Sequence, residues 1–215
     1  MFRLIFLLLL LNFYQPVFTT EDTISQAVAR YLNRIHKYME EEDWINAERE
    51  LKQTARRYFK NEDSYERALI NQLYGQFFAL QRDYKNAIPW FEKAIAKGRL
   101  PFAADLQVSY SLAQCYFQTG NYKDVIDTLE NYRIKASKRG QNMAPVQLMV
   151  LGIAYFQEQD ISNAYLNISE ANATSTKLNE EWLQYEFALA VKLEKFDDAI
   201  NAVSYTHLRA HETTH

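Results

Sequence analysis

One arrangement of small and aromatic residues recurs along this chain at nearly constant spacing, and it constrains the fold more than any other feature. In each of three stretches a small residue is followed three positions later by an aromatic. A second aromatic or apolar residue comes six further on, and another small residue three beyond that. The sets are Gly75, Phe78, Tyr84 and Ala87; Ala113, Tyr116, Tyr122 and Val125; and Gly152, Tyr155, Ile161 and Ala164. Weaker copies flank them, with Ile35, Tyr38, Trp44 and Ala47 before and Phe187, Ala190, Phe196 and Ala199 after. The last members of the five sets are 40, 38, 39 and 35 residues apart. Apolar residues at helical spacing make one helix face. A small residue on a first helix lets a second approach closely, and the aromatic ahead of the second fills the gap between them. A lone hairpin of this kind cannot bury its faces, so neighbours stack into a solenoid. Only 5 Gly and 4 Pro occur in 215 residues, which argues against a turn-rich all-β fold. The expectation is an all-α chain of antiparallel helix pairs over residues 21–203, in about five units with the last one truncated, and without a sheet.

The pattern resembles the tetratricopeptide repeat, a helix-turn-helix unit of about 34 residues with a W-x2-L-G-x2-Y first half followed by Ala, Phe and Pro. Leu151-Gly152-x2-Tyr155 and Tyr74-Gly75-x2-Phe78 match the first half, and Ala87-x3-Phe91-x2-Ala94 the second. The resemblance covers about residues 28–203 and implies a right-handed superhelix. The longer spacing is expected to lengthen helices or loops in "AKGRLPFAADLQ" and "RIKASKRGQNMAPVQ". Within the family, Tyr65-Glu66-Arg67-Ala68, Leu112-Ala113-Gln114 and Trp182 are similar to tetratricopeptide proteins of Gram-negative bacteria described as components of a TonB system. That resemblance implies a periplasmic accessory of the machinery powering uptake across the outer membrane, holding protein partners rather than doing chemistry. A scaffold for outer-membrane or envelope protein assembly is the alternative.

In such a solenoid the first helices line the concave face. The register puts Gln72 and Gln76 there from the second unit, Tyr110, Gln114 and Phe117 from the third, and Met149, Ile153, Phe156 and Gln157 from the fourth. This set is amide and aromatic rather than charged, and it suits an extended or helical peptide read by apolar pockets and amide hydrogen bonds. It has no counterpart of the Lys, Asn and Arg clamps that grip a C-terminal carboxylate in some members of the family.

Both ends of the chain stand apart from the repeat. Arg3, the apolar run from Leu4 to about Tyr14, and Pro16 with small polar residues after it give residues 1–20 the layout of a secretory signal peptide. The run is shorter than the roughly 20 residues a spanning helix needs. Export to the periplasm follows as an expectation, with no stable membrane span once the leader is cleaved. At the other end, His211, Glu212 and His215 spell the H-E-x-x-H zinc-protease signature. A working site needs a third ligand and a cleft, and the chain ends at the second histidine. "SYTHLRAHET" instead resembles a translated adaptor or vector end, so residues 204–215 are read as a non-native tail. No catalytic, metal or cofactor site is expected. The single cysteine, Cys115, sits among apolar neighbours and reads as a buried, inert thiol. A net charge of −3 with interleaved signs leaves no footprint for nucleic acid. The sequons at Asn167 and Asn172 read as chance matches, and Arg56-Arg57 and "KASKRG" as solvated clusters.

Overall fold

A computed structural model describes residues 26–58, 61, 63–177 and 179–195. Among them run nine helices and no strand: α1 (Gln26–Glu40), α2 (Trp44–Tyr58), α3 (Tyr65–Leu80), α4 (Tyr84–Ile95), α5 (Phe102–Thr119), α6 (Tyr122–Ser137), α7 (Pro145–Gln157), α8 (Ile161–Thr174) and α9 (Glu180–Lys192). Each helix packs on the next, and α5 also touches α7, as expected of hairpins stacked into a solenoid. The helices α1, α3, α5, α7 and α9 are the first members of five units. The extra length appears in both forms: α5 has 18 residues and α6 has 16, and loops 96–101 and 138–144 join the units. The leader and the H-E-x-x-H tail lie outside the described residues, as do Phe196 and Ala199.

The hairpin turns share one chemistry. Each first helix ends on a residue in the left-handed region: Glu42, Arg82, Gly120, Gln159 and Glu194. In each turn two backbone N–H groups fold back onto the last helical carbonyls, as when Arg82 donates to Ala79 O and Asp83 to Phe78 O. This is a Schellman closure, in which glycine is favoured because it has no Cβ to clash. Four of the five units use a non-glycine there, which is why composition alone does not mark these turns. The second helix then starts on a cap. Asp43, Asp83 and Asp160 each accept the backbone N–H three residues on, from Asn46, Asn86 and Asn163. Each of these asparagines also donates its side-chain amide to the other carboxylate oxygen. Such a cap satisfies one of the donors a helix N-terminus leaves without a partner.

Packing follows the sequence register. Ala47, Ala87, Val125 and Ala164 are fully enclosed. Gly75 lies against the Phe91 ring and Gly152 against Ile168, at distances where a Cβ would overlap them. The apolar interior forms two clusters, one joining the first unit to α3 through Ile70, Leu73 and Phe77 and one running from α3 to α9, with Leu69 and Phe78 of α3 bordering both. Between later units, tyrosine hydroxyls donate to carboxylates of the preceding second helix: Tyr116 to Glu92, and Tyr155 to Glu130 at 3.0 Å. Burial, and then the adjacent carboxylate, push the Tyr155 hydroxyl up to about 12. Arg133 on α6 reaches across to the Asn167 side chain on α8.

Candidate functional site

The first-helix groove is built by register, because side chains four residues apart on α3, α5 and α7 rise from one face of each helix. The nine residues expected there divide by depth. Gln76, Gln114 and Met149 are buried, Gln72, Tyr110, Phe117 and Ile153 are half-buried, and Phe156 and Gln157 are exposed. Exposure along this face thus rises from Gln76 and Gln114 on α3 and α5 to Phe156 and Gln157 at the end of α7. Sequence register placed these residues on one face but did not report how far the neighbouring units close over Gln76 and Gln114.

The deep end has an unusual polar inventory. Gln72 Oε1 and Gln76 Oε1 are shielded from water without a hydrogen-bond partner, whereas the Tyr110 hydroxyl and the Gln114 amide, equally shielded, stand against each other. Burial raises the Tyr110 hydroxyl well above its ordinary range, and the adjacent Gln114 amide only partly offsets this. A buried polar atom without a partner costs about 1–3 kcal/mol, and Glu50, Thr54 and Asn71, outside these register positions, carry such atoms as well. Phe117 at the end of α5 meets Tyr122 edge to face at 5.5 Å, and beyond α7 the Lys192 ammonium stands 5.8 Å over the Phe156 ring. His36 occupies the register position of Gln76 and Gln114 on α1, and burial lowers its pKa. It was not singled out in the sequence, although the same count from Ile35 that places Gln76 after Gly75 would have found it.

Residues with possible chemistry elsewhere take structural roles. Cys115 is buried, and desolvation pushes its thiol up to about 12, which keeps it protonated and unreactive at neutral pH. Asn167 accepts from Arg133 and donates to Asn163 O, while Asn172 donates to Glu186 and to Trp182 O. The nitrogen a glycan would need is thus engaged in both, within α8 for Asn167 and across to α9 for Asn172. In the basic clusters, Arg56 and Lys138 are exposed, Arg57 donates to Tyr31 Oη, and Arg139 lies 4.6 Å over the Phe102 ring. Among the described residues no group of three or more His, Cys, Asp or Glu could hold a metal ion, and no helix is long and apolar enough to cross a membrane.

The fold is that of a tetratricopeptide-type helical repeat, an all-α solenoid of stacked hairpins. Comparisons with known proteins agree at the level of fold. The family profile described as anaphase-promoting complex, cyclosome, subunit 3 matches residues 80–144, from the end of α3 to the start of α7. MamA 41-end from Desulfovibrio magneticus RS-1 is similar in structure, with a TM-score of 0.65 and 18% identity over 89% of this chain and 98% of its own. BtubC from P. vanneervenii superposes with a TM-score of 0.60 and 14% identity, over 88% and 91% of the two chains. A tetratricopeptide repeat protein from Parabacteroides merdae gives 0.62 and 16%, over 84% and 66%. No curated protein matches the chain.

Proposed function

We propose that this protein is a non-catalytic scaffold of the periplasm that holds a protein partner in its first-helix groove, as an accessory of a TonB-type energy-transduction system. The observation that carries the binding reading is the groove itself: water-shielded polar atoms without partners at one end and an exposed phenylalanine at the other. Both are features that a bound peptide would satisfy. The periplasmic setting rests on the leader-like layout of residues 1–20. The TonB setting rests on the residues shared with that group. Of these, Ala68, Leu112 and Ala113 are buried packing residues and serve the scaffold. Gln114, at a register position assigned to the groove, is the shared residue through which the proposal can be tested.

A pull-down tests the proposal. The chain and a Tyr110→Ala, Phe117→Ala, Phe156→Ala variant are each presented with the purified periplasmic domain of a TonB-type energy transducer. Capture by the parent and loss of capture by the variant, with helical circular dichroism retained, is the expected result. Equal capture by both would move the interface off the groove. Capture of an outer-membrane assembly factor in place of the transducer would favour the envelope-assembly alternative.

A further inference from the structure

The boundary between the first unit and the rest of the solenoid is built differently from the boundaries that follow it. At each later one a side-chain hydrogen bond joins a second helix to the next first helix. Tyr116 of α5 donates to Glu92 of α4, Tyr155 of α7 to Glu130 of α6 at 3.0 Å, and Asn172 of α8 to Glu186 of α9 at 2.7 Å. At the register positions of the two Tyr and Glu pairs, α3 and α2 carry Phe78 and Lys52, which cannot make that bond. Lys52 pairs instead with Glu48 on its own helix at 2.6 Å. Tyr132 of α6 accepts from Gln147 of α7 at 3.1 Å. Its counterpart on α2 is Thr54, 1% exposed, with a hydroxyl that is shielded and without a partner.

The α3 side is polar as well. Asn71, Gln72 and Gln76 stand where α7 has Leu148, Met149 and Ile153. Among the described residues, five of the seven shielded polar atoms without a partner lie on α2 and α3, at Glu50, Thr54, Asn71, Gln72 and Gln76. Such an atom gains a hydrogen bond when water reaches it, so each one that opening hydrates lowers the cost of separating the two helices. Against this, Ile70, Leu73 and Phe77 share the apolar cluster of the first unit, and Trp44 meets Phe77 edge to face at 6.0 Å, which favours the closed form. On its other side α3 is fastened to α4 and the loop after it. Gly75 lies against the Phe91 ring, Tyr74 stacks on Trp90 at 4.4 Å, and Asp63 accepts two bonds from Arg99 at 3.2 and 2.9 Å.

We propose that the α2–α3 boundary is a joint, at which the α1–α2 hairpin opens as one body while α3 to α9 stay together. Opening changes the spacing of α1 and α3 on the first-helix face and leaves that of α5, α7 and α9 unaltered.

Distances between paired nitroxide labels, measured by pulsed electron–electron double resonance, test the joint. Labels enter through cysteines at exposed second-helix positions, and the buried Cys115 stays unlabelled. The Arg49→Cys and Asp127→Cys pair spans the joint from α2 to α6, and the Asp127→Cys and Glu170→Cys pair lies within the later body. The expected result is a second, longer population for the first pair and a single narrow one for the second. Lys52→Glu/Phe78→Tyr installs the bond of the later boundaries, and Asn71→Leu/Gln76→Ile copies the apolar side chains of α7. Loss of the longer population in either variant, with helical circular dichroism retained and the second pair unchanged, supports the joint. A single narrow population for both pairs in the parent would overturn it. So would equal broadening of both pairs, which spreads the movement along the whole solenoid. A longer population that persists in both variants would show a frayed end only and would also overturn it.

Discussion

Replacing Gly152 by alanine puts a methyl group where α7 and α8 leave no room for one. An ideal Cβ there falls 2.6 Å from Ile168 Cγ1, 3.2 Å from the Ala164 carbonyl oxygen and 3.3 Å from Asn167 Cβ. Comfortable carbon–carbon contact begins near ~3.5 Å, so α8 must shift by nearly 1 Å. Ile168 is 1% exposed and Asn167 is held by Arg133, so neither yields by turning into solvent. Overpacking a well-filled contact costs about 1–3 kcal/mol. Two of the three contacts fall on backbone or a Cβ, which puts this case in the upper half of that range. Alanine recovers about 1 kcal/mol of helix propensity over glycine, leaving a net loss of about 1–2 kcal/mol. Leucine at the same position should cost more. Urea unfolding followed by circular dichroism measures the loss, and Ile168→Ala supplies the control. Alone it opens a cavity at about 2–5 kcal/mol. Combined with Gly152→Ala it makes room for the new methyl, so the double variant should be more stable than the sum of the single losses implies. A Gly152→Ala protein as stable as the parent, or strict additivity in the double variant, would refute this packing argument.

Two further outcomes follow from the turns and the buried phenols. Arg82→Gly and Gln159→Gly relieve left-handed backbone conformations and should each raise stability by about 1 kcal/mol, whereas Gly120→Ala should lower it by about 1–2 kcal/mol; thermal midpoints by circular dichroism check both signs. The Tyr155 hydroxyl is raised to about 12 from a reference value of 10.0, so the folded chain holds that proton longer than the unfolded one. Its contribution is complete below pH 10.0 and is lost as pH rises toward about 12. Tyr155→Phe should therefore flatten the alkaline limb of stability against pH, and an unchanged limb would contradict the assignment.

The hairpin register was legible because it depends on size at fixed spacing: Gly75, Gly152, Ala47 and Ala164 all lie at the helix contacts that their positions implied. The left-handed turns at Arg82 and Gln159 were not legible, because neither residue type advertises that conformation. The links from Tyr116 to Glu92 and from Tyr155 to Glu130 were visible in principle. Each carboxylate directly follows a core residue, Phe91 or Leu129, at a matching register, but only a structure shows which unit a tyrosine faces. The groove positions were legible as a face, whereas their depth was not. Burial of Gln76 and Gln114 is set by how closely successive units approach, a property of the stacked solenoid rather than of any one repeat. The sequon asparagines make the same point, since Asn167 and Asn172 bond to partners 34 and 14 residues away that no local motif encodes.

The claim that the groove receives the partner is tested most directly by site-specific photocross-linking. Benzoylphenylalanine is placed in turn at Phe156, in the groove, and at Ile134, exposed on the second-helix layer, and each protein is irradiated with the periplasmic domain of a TonB-type transducer. A covalent adduct from position 156 and none from position 134 is the expected result. An adduct from position 134 alone would contradict the groove as the binding face.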